Sequence, residues 1–322
     1  MRRTRLALPA ALAGLLLFTA CGTEHQGPAG GGGATATAGC GGGAEPSGPQ
    51  DASVSPTAPV SPTASASPAE DGVTITGTGM TGGLDASTGR GVGPRPCAAY
   101  SLTSRETEPF TYTVTFEFLS EAGQALTGVE DTVPAVAPGA TVRRTVTAGD
   151  LPPDSAGNAR VKVMKVRSVP TAEAPSEGGA CPSTGVRVYA DEGDAAMGLR
   201  VVGLHLENCG TGTYRLQGYP RVELRDEDHE RVEGVAVLRG GDAIAGGTGA
   251  EGPARELALK PGERAYAGLV WRNTVAGGAA VNAPYARVWA KPGAAPVTVI
   301  PELDLGTTGK LGVGPWKKEE RG

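Results

Sequence analysis

Aromatic side chains make up only 4% of the 322 residues, against 51 glycines and 26 prolines. Much of the chain therefore has little with which to build a core, and its usable length suits about two modest domains. No apolar run reaches the ~18 to 20 residues that a bilayer-crossing helix requires, which excludes a helical integral membrane protein. Positive charge is also scarce: 29 basic residues face 34 acidic ones, for a net charge of −5. Three of the basic residues, Arg2, Arg3 and Arg5, stand at the extreme amino terminus, so the rest is more acidic still and nucleic acid is a poor partner. Histidine is rarer again, with His25, His205 and His229 alone. Catalysis by an activated nucleophile needs a base beside it, and nothing here resembles GxSxG or HExxH. The five cysteines include no CxxC pair, so neither a zinc nor a redox site is supported.

The amino terminus has the layout of an export signal. Arg2, Arg3 and Arg5 precede an apolar stretch from Leu6 to Phe18, interrupted by Pro9, and Phe18-Thr19-Ala20-Cys21 closes it. A bulky apolar residue, two small ones and a cysteine resemble a bacterial lipobox, which implies cleavage after residue 20 and lipidation of Cys21, although leucine is more usual than phenylalanine at the first position. A thioether-linked diacylglycerol with an amide-linked acyl chain such as palmitate buries methylenes at about 0.8 kcal/mol each, enough for stable anchoring. The expected location is the outer face of the cytoplasmic membrane. The alternative is an ordinary cleaved signal or a buried cysteine in an uncleaved helix. Residues 21–72 follow as a tether: Gly22 to Gly72 contains no Leu, Ile, Met, Phe, Trp or Tyr, and moves from glycine blocks to SPTAPVSPTASASP. Such a segment is expected to be disordered, with a reach of ~40 Å. Its serines and threonines are either bare or sugar-bearing.

Residues 73–170 read as the first folded unit. Tyr112, Val114, Phe116 and Phe118 alternate with Thr111, Thr113, Thr115 and Glu117, the period of a strand with one buried face. Ala137-Pro138-Gly139-Ala140 marks a turn before Thr141–Thr147. Arg160 to Val169 is a β-branched run whose apolar phase slips between Val163 and Val166, as at a bulge. Short strands punctuated by turns predict an antiparallel β-sandwich. The runs YTVTFEFLSEAGQAL and VAPGATVRRTV are similar to the small immunoglobulin-like or FxLYD-type modules of bacterial surface proteins. Tyr112 and Phe116 then belong to a core, with an aromatic ligand platform as the alternative.

A linker over residues 171–180 leads to a second unit over 181–316, and residues 317–322 read as a charged tail. The unit's centre is GLRVVGLHLENCGTGTYRLQGYP, in which Val202, Leu204 and Leu206 share one face and Val201, His205 and Glu207 the other. Further strands are predicted over Gly185–Ala190, Arg221–Arg225, Ala265–Arg272 and Tyr285–Ala290. Trp271 and Trp289 fall inside such runs, which favours burial over surface recognition. Cys181-Pro182, GLRVVGLHLENCG, YRLQGYP, ALKPGERAYAGLVWRN and DLGTTGKLGVGPW together resemble the actinobacterial lipoprotein family called domain of unknown function 4232. The resemblance implies a secreted or lipid-anchored β-sandwich without an assigned reaction. Both units together make an all-β chain of two antiparallel sandwiches.

With Cys21 assigned to lipid, four cysteines remain and allow three pairings. The family resemblance and domain membership imply Cys181 with Cys209, a bridge worth roughly 3 kcal/mol if unstrained. Cys40 with Cys97 would pin the tether to the first unit; free or intermolecular thiols are the alternative. Asp226-Glu227-Asp228-His229-Glu230, the most charged run, lacks the glycine of a calcium loop and reads as a solvated hairpin turn. Gly91, Gly93, Gly240 and Gly241 form no phosphate-cradling loop. No cofactor, metal or catalytic residue is expected. The predicted function is a non-enzymatic, lipid-anchored protein that binds an envelope protein, a glycan or a small ligand. A spacer without a ligand is the alternative, and an envelope hydrolase acting through paired carboxylates comes last.

Overall fold

The computed structural model describes residue 40 and residues 71–84, 91–149, 151 and 159–319. The export signal, Cys21 and nearly all of the tether lie outside the described residues. Within them the chain is β structure apart from one turn of 3-10 helix over Thr171–Glu173.

The first module packs two three-stranded antiparallel sheets. One holds β1 (Val73–Leu84), β2 (Gly91–Thr103) and β5 (Thr141–Thr147) in that order. In the other, β3 (Phe110–Leu119) lies between β4 (Ala125–Val136) and β6 (Arg160–Pro170). Alternation along β3 is strict: Phe110, Tyr112, Val114, Phe116 and Phe118 are buried, while the threonines between them are not. They face Val73, Ile75, Tyr100 and Leu102 from the opposite sheet, and the Tyr100 and Phe116 rings lie 4.8 Å apart. The phase slip in β6 is a bulge. Thr115 pairs with Lys165 and Phe116 with Val163, so Met164 is the extra residue and stands half exposed.

The second module contains β7 (Val186–Ala190), β8 (Asp194–Ala196), β9 (Leu199–Asn208), β10 (Tyr214–Gln217) and β11 (Arg221–Arg225). Then come β12 (Ala236–Arg239), β13 (Glu256–Leu259), β14 (Arg264–Arg272), β15 (Val281–Ala283) and β16 (Tyr285–Trp289). The last are β17 (Val297–Val299), β18 (Leu303–Gly306), β19 (Lys310–Val313) and β20 (Lys317–Lys318). The main sheet runs β12-β19-β14-β9-β7, with β8 added to β9 and β20 to β14. A sheet of order β11-β16-β17 and two ribbons, β10–β13 and β15–β18, complete the module. Among the described residues only β12 with β19 pairs in parallel. Leu204 and Leu206 from β9 meet Leu269 and Trp271 from β14, with Trp316 beneath. Both buried indoles find acceptors: Trp271 donates to Asp304 at 2.8 Å and Trp316 to the Ala290 carbonyl at 2.9 Å. Trp289 differs, being half-buried with the guanidinium groups of Arg221 and Arg287 over its ring. Gly203 in the middle of β9 is a steric requirement. A Cβ there would stand 2.3 Å from Asp191 Oδ2 and 2.6 Å from the Tyr266 ring.

The first residues of the segment read as a charged tail are held against the second module. Lys317 and Lys318 pair with Tyr266 and Ala265, so the sheet extends through residue 318, and Glu319 N–H donates to the Arg264 carbonyl.

Candidate binding site between the two modules

The residues that join the modules come from the second half of β6, β3 and the segment after β6, and from two turns and the β16 and β17 strands of the second module. Asp226 builds the first turn, its Oδ1 accepting the N–H groups of Asp228 at 3.1 Å and Glu230 at 2.9 Å. The chain then passes through His229 in the left-handed region, φ 61°. Arg225 clamps the tip by donating to the His229 carbonyl at 2.6 Å. The run is the turn that its charge suggests, with Glu227, Asp228 and Glu230 exposed, but the His229 ring turns inward. The His229 ring stacks on Tyr285 with centroids 4.5 Å apart and meets Phe110 edge-on at 5.3 Å. Its Nε2 lies 3.2 Å from Ser168 Oγ in β6, and the Ser168 N–H donates to the Tyr285 hydroxyl at 3.1 Å. Burying an imidazole between two rings repays more than hydrating it, and the four acidic neighbours can still reach water.

Glu302 makes the second contact, also at positive φ, 51°. Its carboxylate receives Arg167 Nε and Nη2 and lies 3.1 Å from Lys165 Nζ. The segment read as a linker supplies the third. Glu173 accepts from Arg287, with Nε at 2.8 Å, and from the Thr298 hydroxyl at 2.9 Å. The linker is thus fastened to the second module as soon as it leaves the first.

Beside these contacts opens a cavity of about 650 Å³. Tyr112, Tyr285 and His229 give it aromatic walls, and Arg105, Glu106, Lys165 and Asp228 give it charged ones. Burial lowers the His229 pKa from its ordinary 6.5 and the Arg225 guanidinium adds to this, against the opposing pull of Glu106, Asp226 and Asp228. His229 is therefore neutral at neutral pH and offers the cavity a hydrogen-bonding nitrogen rather than a charge. Burial likewise raises the Tyr112 and Tyr285 hydroxyls, so both stay protonated donors. Ser168 with His229 has the composition of a nucleophile and a base. Yet Ser168 is 8% exposed, and no carboxylate is hydrogen bonded to the second ring nitrogen among the described residues.

The other readings fall elsewhere. Cys40 and Cys97 form a disulfide that ties residue 40 to β2, and Cys181 and Cys209 form another at the start of the second module. Cys21 lies outside the described residues. His205 is engaged on both nitrogens, by Asp191 at 3.0 Å and Glu319 at 2.6 Å, which leaves neither free for a substrate. Tyr112 and Phe116 are core residues of the first module, although Tyr112 also lines the cavity, its hydroxyl donating to Ser104 Oγ at 3.0 Å. Among the described residues no group of three or more His, Cys, Asp and Glu side chains is placed to hold a metal. Sequence reasoning missed Arg167, Glu173, Tyr285 and Glu302. The legible signal was His229, the one uncharged ring in an acidic turn.

The arrangement defines a class first: a two-module, all-β protein whose modules are joined by a polar, ring-packed seam. Residues 181–317 match the family model described as a domain of unknown function (DUF4232), which covers the second module. No curated protein matches the chain.

Proposed function

We propose that the chain is an exported lipoprotein of the actinobacterial kind, acylated at Cys21. It carries an immunoglobulin-like module and a domain of unknown function on the outer face of a cytoplasmic membrane, and it binds there rather than catalyses. The observation that carries the binding reading is the cavity of about 650 Å³ between the modules, with aromatic walls and convergent polar groups. Its mixture of ring faces and paired charges suits a polar ligand, whether a glycan or a segment of an envelope protein. The sequence Phe18-Thr19-Ala20-Cys21 supports the anchor.

Two measurements on the full chain test this. Cells fed labelled palmitate should label the protein, and Cys21→Ser should abolish the label; an equally labelled Cys21→Ser variant removes the anchor. A photo-crosslinking residue at Arg105, on the cavity wall, should give a discrete, saturable adduct in intact cells. Absence of any saturable adduct leaves the spacer reading in its place.

A further inference from the structure

Among the described residues the second module leaves a seam open between two sheet edges. Its main sheet ends at β12 and the facing sheet at β11. Among the described residues Ala236–Arg239 and Arg221–Glu223 pair on one side only. The rest of β11 is closed by the returning turn, through Val232 N–H to the Leu224 carbonyl at 3.0 Å and a bridge from Arg225 to Arg231.

Between the two free edges runs a groove. A hollow of about 590 Å³ and a smaller one of about 100 Å³ share Arg221, Val222 and Val237 as walls. In the parallel pairing Val237 lies beside Leu311 and Arg239 beside Val313, and both partners belong to the core. Val237 and Arg239 thus project to the core side of the sheet at its open margin, where Val237 remains 43% exposed.

The charge of this seam runs against that of the chain, whose net is −5. Arg221, Arg239 and Arg255 line the larger hollow and Glu256 is its one carboxylate. Arg221 lies 4.3 Å over the Trp289 ring and Arg239 6.0 Å over Tyr219. A guanidinium over a ring face is held there without committing its N–H groups to a carboxylate. The carboxylate nearest Arg221 is Glu223 at 3.8 Å, already held by Arg225 at 2.7 Å. Arg239 and Arg255 form no ion pair among the described residues.

We infer that this seam receives an extended, acidic segment of a partner protein. The segment adds a strand to the free edge of β12, lays apolar side chains on Val222, Val235 and Val237, and presents carboxylates to Arg221, Arg239 and Arg255. A row of unpaired backbone donors and acceptors calls for a peptide, since an acidic polysaccharide would satisfy the arginines and leave that row unmatched. A charge pointing inward from an edge strand repels indiscriminate pairing, so Arg239 also restricts the edge to strands that carry a carboxylate opposite it.

The test uses the full chain in detergent and a fluorescein-labelled peptide of alternating valine and glutamate. Fluorescence anisotropy should show this peptide binding about tenfold or more tighter than its valine–lysine counterpart, with affinity falling as salt rises. Amide exchange over Ala236–Arg239 should slow on binding. Combining Arg239→Glu with Arg255→Glu, both at exposed positions, should lower affinity about tenfold or more without altering exchange in β9 and β14. Four results overturn the inference. One is equal binding of a peptide N-methylated at alternate nitrogens, and another is indifference to the arginine variants. The third is oligogalacturonate binding as well as the peptide with no slowing in β12, which assigns the seam to acidic glycans. The last is a dimer of the chain itself that Arg239→Glu dissolves, which assigns it to a second copy.

Discussion

Arg167, near the end of the first module, holds Glu302 of the second by two parallel bonds, Nε–H to Oε1 at 2.8 Å and Nη2–H to Oε2 at 3.0 Å. Burial pushes the Glu302 carboxyl up, but the bonds and charges of Arg167 and Lys165 outweigh it and hold the carboxyl below its usual value. The two-point geometry fixes orientation as well as distance. Glu302→Gln should cost about 1.5 kcal/mol of docking between the modules, since a charge-assisted bond is replaced by a neutral one. Limited proteolysis within residues 171–180 should then accelerate about tenfold. Lys162→Gln removes a pair of similar length, Lys162 Nζ to Glu117 at 2.7 Å, but the lysine is half exposed, so its effect on the same cleavage should be nil.

His229 makes the seam sensitive to acid. Its pKa in the folded chain is lowered from 6.5, so the unfolded or undocked state binds more protons between the two values. Docking stability is then complete above about pH 6.5 and declines as pH falls through the interval below it. Cleavage within residues 171–180 should speed up from pH 7.5 to 5.5, and His229→Asn should flatten that dependence. Asparagine tolerates the positive φ of this position, so the variant isolates the titration from backbone strain. A pH dependence unchanged in His229→Asn would remove the imidazole as its source.

Strands with one buried face were legible because their side chains alternate. β3, β9, β11, β14 and β16 each carry at least two apolar residues in phase, and the bulge at Met164 showed as a phase slip. Strands without that signature were not legible: β1 is glycine- and threonine-rich, and β12, β13 and β18 are four-residue pieces held by their neighbours. The seam between modules was hidden for a different reason. Arg167, Glu173 and Glu302 look like any surface charges until the fold brings residues 135 positions apart to 2.8 Å. Charge counting placed the 226–230 turn in water, which holds for Glu227, Asp228 and Glu230, but could not show that the His229 ring packs on Tyr285.

Asn208 is a buried polar junction in the second module, 2% exposed at the end of β9. Its Nδ2 donates to the Leu259 carbonyl at 2.7 Å and the Gly212 carbonyl at 2.8 Å, and its Oδ1 accepts from Gly210 N–H at 3.2 Å. Asn208→Ala takes the side-chain donor from two carbonyls, while the Gly210 N–H keeps the Gly185 carbonyl at 2.9 Å, and should cost about 1 to 3 kcal/mol in urea unfolding. Asn208→Asp should cost more. It keeps the shape but turns a carboxylate oxygen toward the same two carbonyls, and acidification should recover part of the loss by protonating it.

The two disulfides should act on separate modules. Cys40 and Cys97 are 57 positions apart, and the bridge sets residue 40 beside Thr145 of β5, whose hydroxyl donates to the Cys40 carbonyl at 3.3 Å. Closing a loop of that size removes unfolded-state entropy worth up to about 4 kcal/mol, and the 28-residue separation of Cys181 and Cys209 is worth about 3.5 kcal/mol. Combining Cys40→Ser with Cys97→Ser should therefore speed amide exchange in β2 and β5 and leave β7 and β9 unchanged. Combining Cys181→Ser with Cys209→Ser should do the reverse. The seam couples the modules through a few polar bonds and three rings, far less than either core. Faster exchange in both modules from a single pair of substitutions would mean that they unfold as one unit.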